Sequence, residues 1–363
     1  MKYIAVDLGA GSGRIVAGTP APLHSDPPPA SGGADDGLDI LYRFTTPSVL
    51  LPTGIHWDIA AIFNNIKTGL RAAFLKYGDE IVSISVDSWG VDYGLLDAGA
   101  ELIGLPYHYR DQRTDTIMEE VFSIISERDI YERTGIQFMQ LNTLFQQIAF
   151  MKSHPDLFSC TRSYLSIPDL IIYWLCGEMT NERTHASTTQ LFSPHQNTWD
   201  RELMDILKLP KTIFREIVPS GTPLAPLLPQ VQQEVGAPAS VQVIAGAGHD
   251  TQAASFTVPA SADTAFLSCG TWSVMGIESS TAIISDTGFA YSASNEASAR
   301  GGYNLLKNLL GLWLLQECKA EWDAAAVADS AMRAAGSGRT AGTGYAARAA
   351  GTAGAAESDY AKL

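Results

Sequence analysis

The stretch that most constrains the fold is Val241–Ser255, where a buried strand leads through a glycine turn into a helix. β-Branched residues predict the strand, and Gly246 and Gly248 predict the turn that opens the helix. Asp250 thus lies in or just before a first helical turn, where free N–H groups and the helix dipole favour an ionised carboxylate. Since ligands of open α/β sheets bind beyond the carboxyl ends of strands, Asp250 is either a helix cap or a catalytic base.

The length of 363 residues predicts about two globular domains, at roughly 150 residues per domain. A net charge of −15 argues against nucleic acid or an anionic membrane as partner. A nucleotide remains possible as a ligand, because backbone N–H groups and magnesium can hold phosphates. The first strand leaves no room for a signal peptide, and the apolar run at 170–176 is too short to span a bilayer. The chain is therefore expected to be cytoplasmic, and no feature indicates an obligate protein partner.

A glycine-rich turn follows the first predicted strand. Asp7-Leu-Gly-Ala-Gly-Ser-Gly-Arg14 precedes another strand pattern, so it predicts a hairpin and not a Rossmann or Walker loop. Its glycines let backbone N–H groups approach an anion, with Ser12 and Arg14 as further donors. Asp7 is a candidate to hold magnesium through water. A hairpin without a function is the alternative.

A similar strand–turn–strand pattern covers residues 264–278. Thr271 and Ser273 in its turn can donate to phosphate oxygens. Two such hairpins in corresponding places suggest a duplicated architecture with a nucleotide clamped between the halves.

Asp87-Ser-Trp-Gly-Val-Asp92 follows a third predicted strand, Ile81–Val86. Trp89 could stack on a sugar, Asp92 could accept its hydroxyl groups, and Gly90 would allow close backbone approach. The alternative is a β-hairpin with a packed tryptophan.

The middle of the chain, from about residue 100 to 240, is predicted to be richer in helices, typical of a helical insertion or lid. The predicted helices there are 114–127, 144–152, 168–176 and 200–207. Residues 304–316 are predicted as an apolar helix whose Asn308 and Gln316 face a ligand or satisfy core backbone groups. Beyond residue 322 the composition is too poor in apolar residues to offset the entropy of ordering.

Taken in order, these motifs resemble the FGGY family of carbohydrate kinases over about residues 1–322. The matching stretches are Asp7-Leu-Gly-Ala-Gly-Ser-Gly-Arg14, Asp87-Ser-Trp-Gly-Val-Asp92, Tyr109-Arg-Asp-Gln-Arg-Thr114, Thr134-Gly-Ile-Gln-Phe138, His249-Asp250-Thr251, Ser268-Cys-Gly-Thr-Trp-Ser-Val-Met-Gly276 and Leu306-Lys-Asn-Leu-Leu-Gly-Leu-Trp-Leu-Leu-Gln316. Within the family, the stretch at 87–92 is typical of the branch that acts on L-rhamnulose, and not of sister kinases of glycerol, xylulose or ribulose.

The resemblance implies an α/β fold of two actin-like, ribonuclease H-like ATPase domains with a cleft between them, the second domain being incomplete. It implies an N-terminal sugar-binding domain with a helical insertion over residues 1–240 and a partial C-terminal ATP-binding domain over 241–322. Residues 323–363 form an Ala/Gly-rich low-complexity tail that is expected to match nothing in the family. We therefore expect a C-terminally truncated or disrupted chain, with an exposed sheet edge in its second domain.

The activity implied is an ATP-dependent phosphotransferase that acts on the 1-hydroxyl of L-rhamnulose with ATP and Mg²⁺. Asp250 matches the family's proton acceptor, and Asp7 would assist magnesium through water. The positions that match sugar-binding residues are Gly90, His249, Asp250, Thr251 and Asn308. The positions that match ATP-binding residues are Ala10, Gly11, Ser12, Gly13, Arg14, Thr271 and Gln316.

Three alternatives stay open at this point. The substrate could be another ketose such as L-fuculose, or the chain could be an inactive fragment that binds sugar but not ATP. The third is an actin-like ATPase of the chaperone or filament type.

Overall fold

The structure is a computed structural model that describes residues 1–19, 37–258, 264–270, 273–309, 311–312, 314–315, 318–319 and 321–323. The chain divides into two compact units, Met1–Leu312 and Trp313–Leu363. The predicted loop at 20–37, apart from Gly37, lies outside the described residues, as does the predicted tail beyond Asp323.

The strands of the described part are β1 (Lys2–Leu8), β2 (Ser12–Gly18), β3 (Leu38–Thr45), β4 (Ser48–Leu51), β5 (Gly54–Trp57), β6 (Ile81–Ser88), β7 (Tyr93–Leu96), β8 (Ser163–Ser166), β9 (Asn181–Glu182), β10 (Phe192–Ser193), β11 (Thr198–Trp199), β12 (Ile217–Val218), β13 (Thr222–Pro226), β14 (Gln242–Ala245), β15 (Ala265–Cys269), β16 (Ser273–Ser279), β17 (Ser294–Ala297) and β18 (Tyr303–Leu309). The helices are α1 (Ile59–Tyr77), α2 (Ile117–Phe122), α3 (Glu127–Thr134), α4 (Thr143–Ser153), α5 (Pro155–Cys160), α6 (Ile167–Cys176), α7 (Arg183–Ser187), α8 (Arg201–Ile206), α9 (Pro229–Val235), α10 (Asp250–Ser255) and α11 (Asp286–Ala290).

A six-stranded sheet of order β13-β14-β6-β1-β2-β3 forms the first layer. The predicted hairpin is confirmed, since β1 and β2 pair antiparallel with Asp7 opposite Arg14. Strand β6 pairs parallel to β1, and β14 pairs parallel to β6. Because parallel strands end at the same edge of a sheet, the residues that follow β1, β6 and β14 are brought together there.

Helix α1 shows why the first layer holds together. Asp58 caps its first turn by accepting from the N–H of Ala61 at 3.0 Å, and Gly78 ends it with φ of 48°, a conformation that favours glycine. Its apolar face is fully buried against the sheet, and Gly69 lets the helix axis come close to β2, because a Cβ there would lie 2.2 Å from Ile15 Cγ1. Burying such side chains contributes about 1.5–3 kcal/mol each.

The middle of the chain is helical, as predicted, and has a core of its own. The predicted helices at 144–152, 168–176 and 200–207 are confirmed as α4, α6 and α8. The single helix predicted over 114–127 is wrong. A 3-10 turn at Gln112–Thr114 precedes the six-residue α2, and the side chain of Ser126 caps a separate helix, α3, by accepting from the N–H of Asp129.

A four-stranded antiparallel sheet of order β15-β16-β18-β17 forms the second layer. The predicted helix over 304–316 is wrong, because β18 (Tyr303–Leu309) pairs along its length with β16 and β17. Strand β14, which the domain prediction assigned to the second domain, pairs within the first sheet. The first sheet therefore continues across the predicted boundary between residues 240 and 241.

Candidate functional site

Three aspartates meet at the shared strand edge of the first sheet. Asp7 at the end of β1 lies opposite Asp87 of β6, and Asp250 opens α10 just beyond β14. Burial, and then the charges of Asp7 and Asp250, raise the pKa of Asp87 well above its ordinary value. The charges are therefore close enough to affect one another, which makes this edge a candidate active site.

Asp250 has a carboxylate that keeps access to solvent. A third of its side chain is exposed, and Oδ1 accepts from the N–H of Thr251 at 2.5 Å and from its hydroxyl at 3.2 Å. Burial raises the pKa of Asp250, while His249 and the two donors of Thr251 oppose that shift. No helix-capping bond from the side chain of Asp250 beyond Thr251 is present in the described part, so much of its accepting capacity is free.

His249 lies between two carboxylates. Its Nε2 is 3.5 Å from Asp250 Oδ1, and its Nδ1 is 3.1 Å from Glu296 Oε2, an ion-pair separation in which the N–H direction departs from a well-aligned hydrogen bond. Burial acts to lower its pKa, but Glu296 and Asp250 outweigh burial and raise the pKa of His249 to about 8. The imidazole is therefore a cation at neutral pH.

Gly90 faces His249 from the end of β6. A Cβ built on Gly90 would lie 3.3 Å from His249 Nε2 and 3.4 Å from Thr188 Oγ1. The two segments are tied together, since the N–H of Ser88 donates to the carbonyl of Gly248 at 2.9 Å. The sequence prediction that these residues share one site is consistent with this placement.

Asp92 and Trp89 are buried and bonded within the protein, which argues against the interpretation of this stretch as a sugar-binding surface. Asp92 is fully buried, and its two oxygens accept from four donors, which are Trp57 Nε1 at 2.7 Å, Trp89 Nε1 at 3.0 Å, the Tyr109 N–H at 3.2 Å and Gln146 Nε2 at 2.9 Å. Trp89 stacks against Trp57 with ring centroids 4.2 Å apart. The structure therefore favours the alternative in which Trp89 is a packed, buried side chain.

The predicted ATP loop forms the exposed tip of the β1–β2 hairpin. The N–H of Gly9 donates to the carbonyl of Ser12 at 2.9 Å, while Gly11 and Ser12 are exposed. Gly13 serves packing, because a Cβ there would lie 2.5 Å from Phe44. Ala10, which follows Gly9 in the turn, is half-buried.

Arg14 donates from Nε to Asp7 Oδ2 at 2.6 Å, so the predicted phosphate donor and the predicted magnesium residue are paired with each other. In the part of the chain that the structure describes, no group of three or more His, Cys, Asp or Glu side chains is arranged to hold a metal ion. A single half-buried carboxylate fits Mg²⁺, which keeps most of its waters and takes further ligands from phosphates. Asp7 fits that role through water.

The remaining predicted positions divide between described and undescribed residues. Thr271 and Gln316 lie outside the described residues. Thr251 lies beside Asp250, and the half-buried Asn308 lies opposite Val274 in the second sheet, on the face of β18 that it shares with Asn304. Asn304 is buried and contacts Gln252 and Ser255 of α10, so that face is turned towards α10.

Sequence reasoning missed three buried polar residues that connect α10 to the second sheet. Gln252 Nε2 donates to Glu296 Oε2 at 2.7 Å, and Asn304 Nδ2 donates to Gln252 Oε1 at 2.5 Å. The sequence around them gives little signal, because Gln252 and Glu296 lie among other polar residues and a polar residue such as Asn304 beside leucines is also found in a satisfied core.

Two family models match the chain. The FGGY family of carbohydrate kinases, N-terminal domain, matches residues 46–257, and the FGGY C-terminal domain matches residues 265–348. The second match reaches past residue 322, so the prediction that the tail matches nothing in the family is wrong for residues 323–348.

Two of the similar curated proteins are rhamnulokinases. The rhamnulokinase of Halalkalibacterium halodurans is 37% identical over 324 residues, which are 89% of this chain and 66% of that protein. The rhamnulokinase of Pectobacterium carotovorum is 41% identical over 326 residues, 89% of this chain and 62% of that protein. The chain thus spans just under two thirds of the length of these relatives.

Among solved structures, the gluconate kinase from Lactobacillus acidophilus superimposes with a TM-score of 0.75 at 18% identity, covering 87% of this chain and 61% of that one. This likeness confirms the predicted actin-like, ribonuclease H-like α/β fold. Within the described residues, no helix is both long and apolar enough to cross a membrane.

Proposed function

Since the chain belongs to the FGGY family of carbohydrate kinases, we propose that it transfers the γ-phosphate of ATP to the 1-hydroxyl of L-rhamnulose, giving L-rhamnulose 1-phosphate. The curated relatives named rhamnulokinase support the choice of sugar. The observation that carries the proposal is the partly exposed carboxylate of Asp250, at a strand edge beside His249 and Gly90.

In the proposed reaction, the 1-hydroxyl oxygen forms a bond to the γ-phosphorus and the bond from that phosphorus to the bridging oxygen of ADP breaks. Asp250 accepts the hydroxyl proton. A positioned base of this kind contributes about 10²–10⁴-fold in rate. Most of the rest comes from positioning and from electrostatics, because phosphoryl transfer asks for little covalent chemistry from the protein.

The sugar is proposed to lie against Gly90, His249, Thr251 and Asn308. A glycine at position 90 leaves the space beside His249 Nε2 open, since any Cβ would come within 3.3 Å of that atom. The cationic imidazole of His249 can donate from Nε2 to a sugar oxygen and at the same time stabilise the ionised form of Asp250. Binding and activation of the hydroxyl therefore depend on the same pair of side chains.

ATP is proposed to bind against the tip of the β1–β2 hairpin, from Ala10 to Arg14, with Thr271 and Gln316 as further contacts. Exposed backbone around Gly11 supports this, because N–H groups of such a turn can approach phosphate oxygens. When bound, Mg²⁺ would neutralise charge on the phosphates. Asp7 would orient the waters of the ion. Arg14 would then leave its ion pair with Asp7 and turn to a phosphate.

A cytoplasmic location belongs to the proposal. All four cysteines are free, which is usual in a reducing compartment.

The activity of this chain by itself needs a direct test, because it spans 62–66% of the rhamnulokinases that it matches. A second candidate function is sugar binding without phosphoryl transfer. An ATP-consumption assay with L-rhamnulose, L-fuculose and L-xylulose compares these sugars as substrates, since buried polar contacts distinguish hydroxyl stereochemistry. We expect the highest kcat/KM with L-rhamnulose.

Calorimetry with a non-hydrolysable ATP analogue separates the two functions. Binding of both the analogue and L-rhamnulose, with ATP consumed only when sugar is present, supports the kinase. Binding of L-rhamnulose without detectable binding of the nucleotide supports the second candidate. ATP hydrolysis at the full rate without sugar would contradict both.

A further inference from the structure

We propose that Glu296 is a positioning residue, which fixes the orientation and the charge of His249, so that a protonated imidazole lies beside Asp250 and the sugar hydroxyl. The part of this inference that concerns turnover rests on the proposed function. The part that concerns His249 stands on the geometry alone.

Glu296 is held rigidly in a buried place. It lies on β17 of the second sheet with 8% of its side chain exposed, and Oε2 accepts from Gln252 Nε2 at 2.7 Å. Gln252 is itself held, because its Oε1 accepts from Asn304 Nδ2. A carboxylate held in this way cannot turn away from His249 without leaving Gln252 unpaired, which costs about 1–3 kcal/mol.

The position of Glu296 determines which way the imidazole faces. Its Oε2 lies 3.1 Å from His249 Nδ1, so Nε2 is directed to the opposite side, 3.5 Å from Asp250 Oδ1 and towards Gly90. Each ring nitrogen thus faces a carboxylate. Two acceptors on opposite sides of an imidazole favour a proton on both nitrogens.

The other charged groups around His249 contribute less to its pKa than Glu296 does, although Asp250 and then Glu182 also raise it. Glu182, at the start of α7, has Oε2 occupied by the N–H groups of Thr184 and Gly248, at 2.8 and 2.9 Å. The ring of His185 on α7 is 6.3 Å from that of His249, and burial and then the charge of His249 lower the pKa of His185 to about 3, so it stays neutral. Glu296 is the largest of the contributions that raise the pKa of His249, and it lies on β17 of the second sheet, whereas Asp250 begins α10.

Glu296→Gln tests the inference, because the amide keeps the size of the side chain and removes its charge. NMR titration of the His249 ring measures the pKa directly. We expect a value near 8 in the wild type, falling to the ordinary value of about 6.5 or below in the variant. At pH 8 the protonated fraction would drop about 15-fold, but at pH 6 it would drop less than about twofold.

Turnover should follow the same pattern. Glu296→Gln should lower kcat by about 15-fold near pH 8 and by less than about twofold near pH 6. The matched control is Glu278→Gln, which removes one negative charge from β16 of the same sheet, where Glu278 pairs with Arg300 at 2.9 Å and does not contact His249. That control should leave both the titration and the pH profile unchanged.

An unchanged His249 titration in Glu296→Gln, or an equal loss of turnover at both pH values, would overturn the inference. Should Glu296→Gln fail to fold, Glu296→Asp retains the charge and must lower the pKa of His249 by a smaller amount. A wild-type chain that phosphorylates no ketose would defeat the proposed function instead. The titration of the same samples would still support or reject the role of Glu296.

Discussion

Asp92 and Asp250 are the same residue type in comparable places, yet they differ in burial and in the number of donors bound to them. Each lies just beyond a strand of the first sheet, Asp92 after β6 and Asp250 after β14. Asp92 is fully buried and its oxygens accept from four donors, whereas the side chain of Asp250 is a third exposed and, among the described residues, accepts only from Thr251. What separates a structural carboxylate from a candidate base is therefore the number of donors already bound to it.

The pKa values alone would not have made this distinction. Burial raises the pKa of Asp92 to about 6, and burial also raises the pKa of Asp250. Perturbed carboxylates are candidates for function, but structural networks perturb them as well. The burial and the hydrogen-bond partners make the distinction, because Asp92 is closed off from solvent and bonded to four donors within the protein.

Asp250→Asn should have the largest effect. Removing the proposed base should lower kcat about 10²–10⁴-fold, with sugar affinity by calorimetry and the midpoint of thermal unfolding close to those of the wild type. Steady-state kinetics with L-rhamnulose measures the change. Wild-type turnover in the variant would remove Asp250 from the role of base.

Asp92→Asn should have the opposite profile. An amide can accept through only one atom, so at least one of its four donors loses its partner, at about 1–3 kcal/mol for each donor left unpaired. Urea unfolding should show that loss of stability, while the kcat of the folded fraction changes little. The control is Asp97→Asn, a half-buried residue at a turn that accepts from the N–H groups of Gly99 and Glu101. A fall in kcat at unchanged stability would place Asp92 in the site after all.

Gly90→Ala should act on sugar binding more than on folding. The new methyl would lie 3.3 Å from His249 Nε2, in the space proposed for the sugar. A methyl in a specific pocket is worth about 1–3 kcal/mol, so KM for L-rhamnulose should rise about 10–200-fold with the melting temperature nearly unchanged. Gly104→Ala is the matched control, because a Cβ there meets no atom within 4 Å. An unaltered KM would mean that the sugar binds elsewhere.

The acid side of the pH profile should show the smallest effect. Asp250 acts only when ionised, and its pKa is raised by burial. Activity should therefore be present above that raised pKa and be lost as the pH falls through it, at a higher pH than for an ordinary carboxyl group. The dependence of kcat/KM on pH measures this, and an acid limb at or below the ordinary carboxyl range would contradict the assignment.

Local patterns were sufficient to predict much of the first layer. Glycines at fixed places after a β-branched strand predict the β1–β2 hairpin and the turn before α10. These features depend on the conformations that neighbouring residues allow, so a single sequence reveals them.

The prediction failed where distant residues decide the structure. The leucines of residues 304–316 fit a helical period, but pairing with β16 and β17 makes Tyr303–Leu309 a strand. Three of the four donors of Asp92 come from Trp57, Tyr109 and Gln146, which no spacing in the sequence connects to it. Glu296 was missed for the same reason, since its contact with His249 joins the second sheet to the residue before α10.

Helix α10 begins at the edge of the first sheet and is bonded to the second through Gln252 and Ser255, which contact Glu296 and Asn304. A rotation of one sheet against the other must therefore move this short helix or break its buried polar contacts with Glu296 and Asn304. The carboxylate of Asp250, at the start of this helix, would therefore change position with any such rotation.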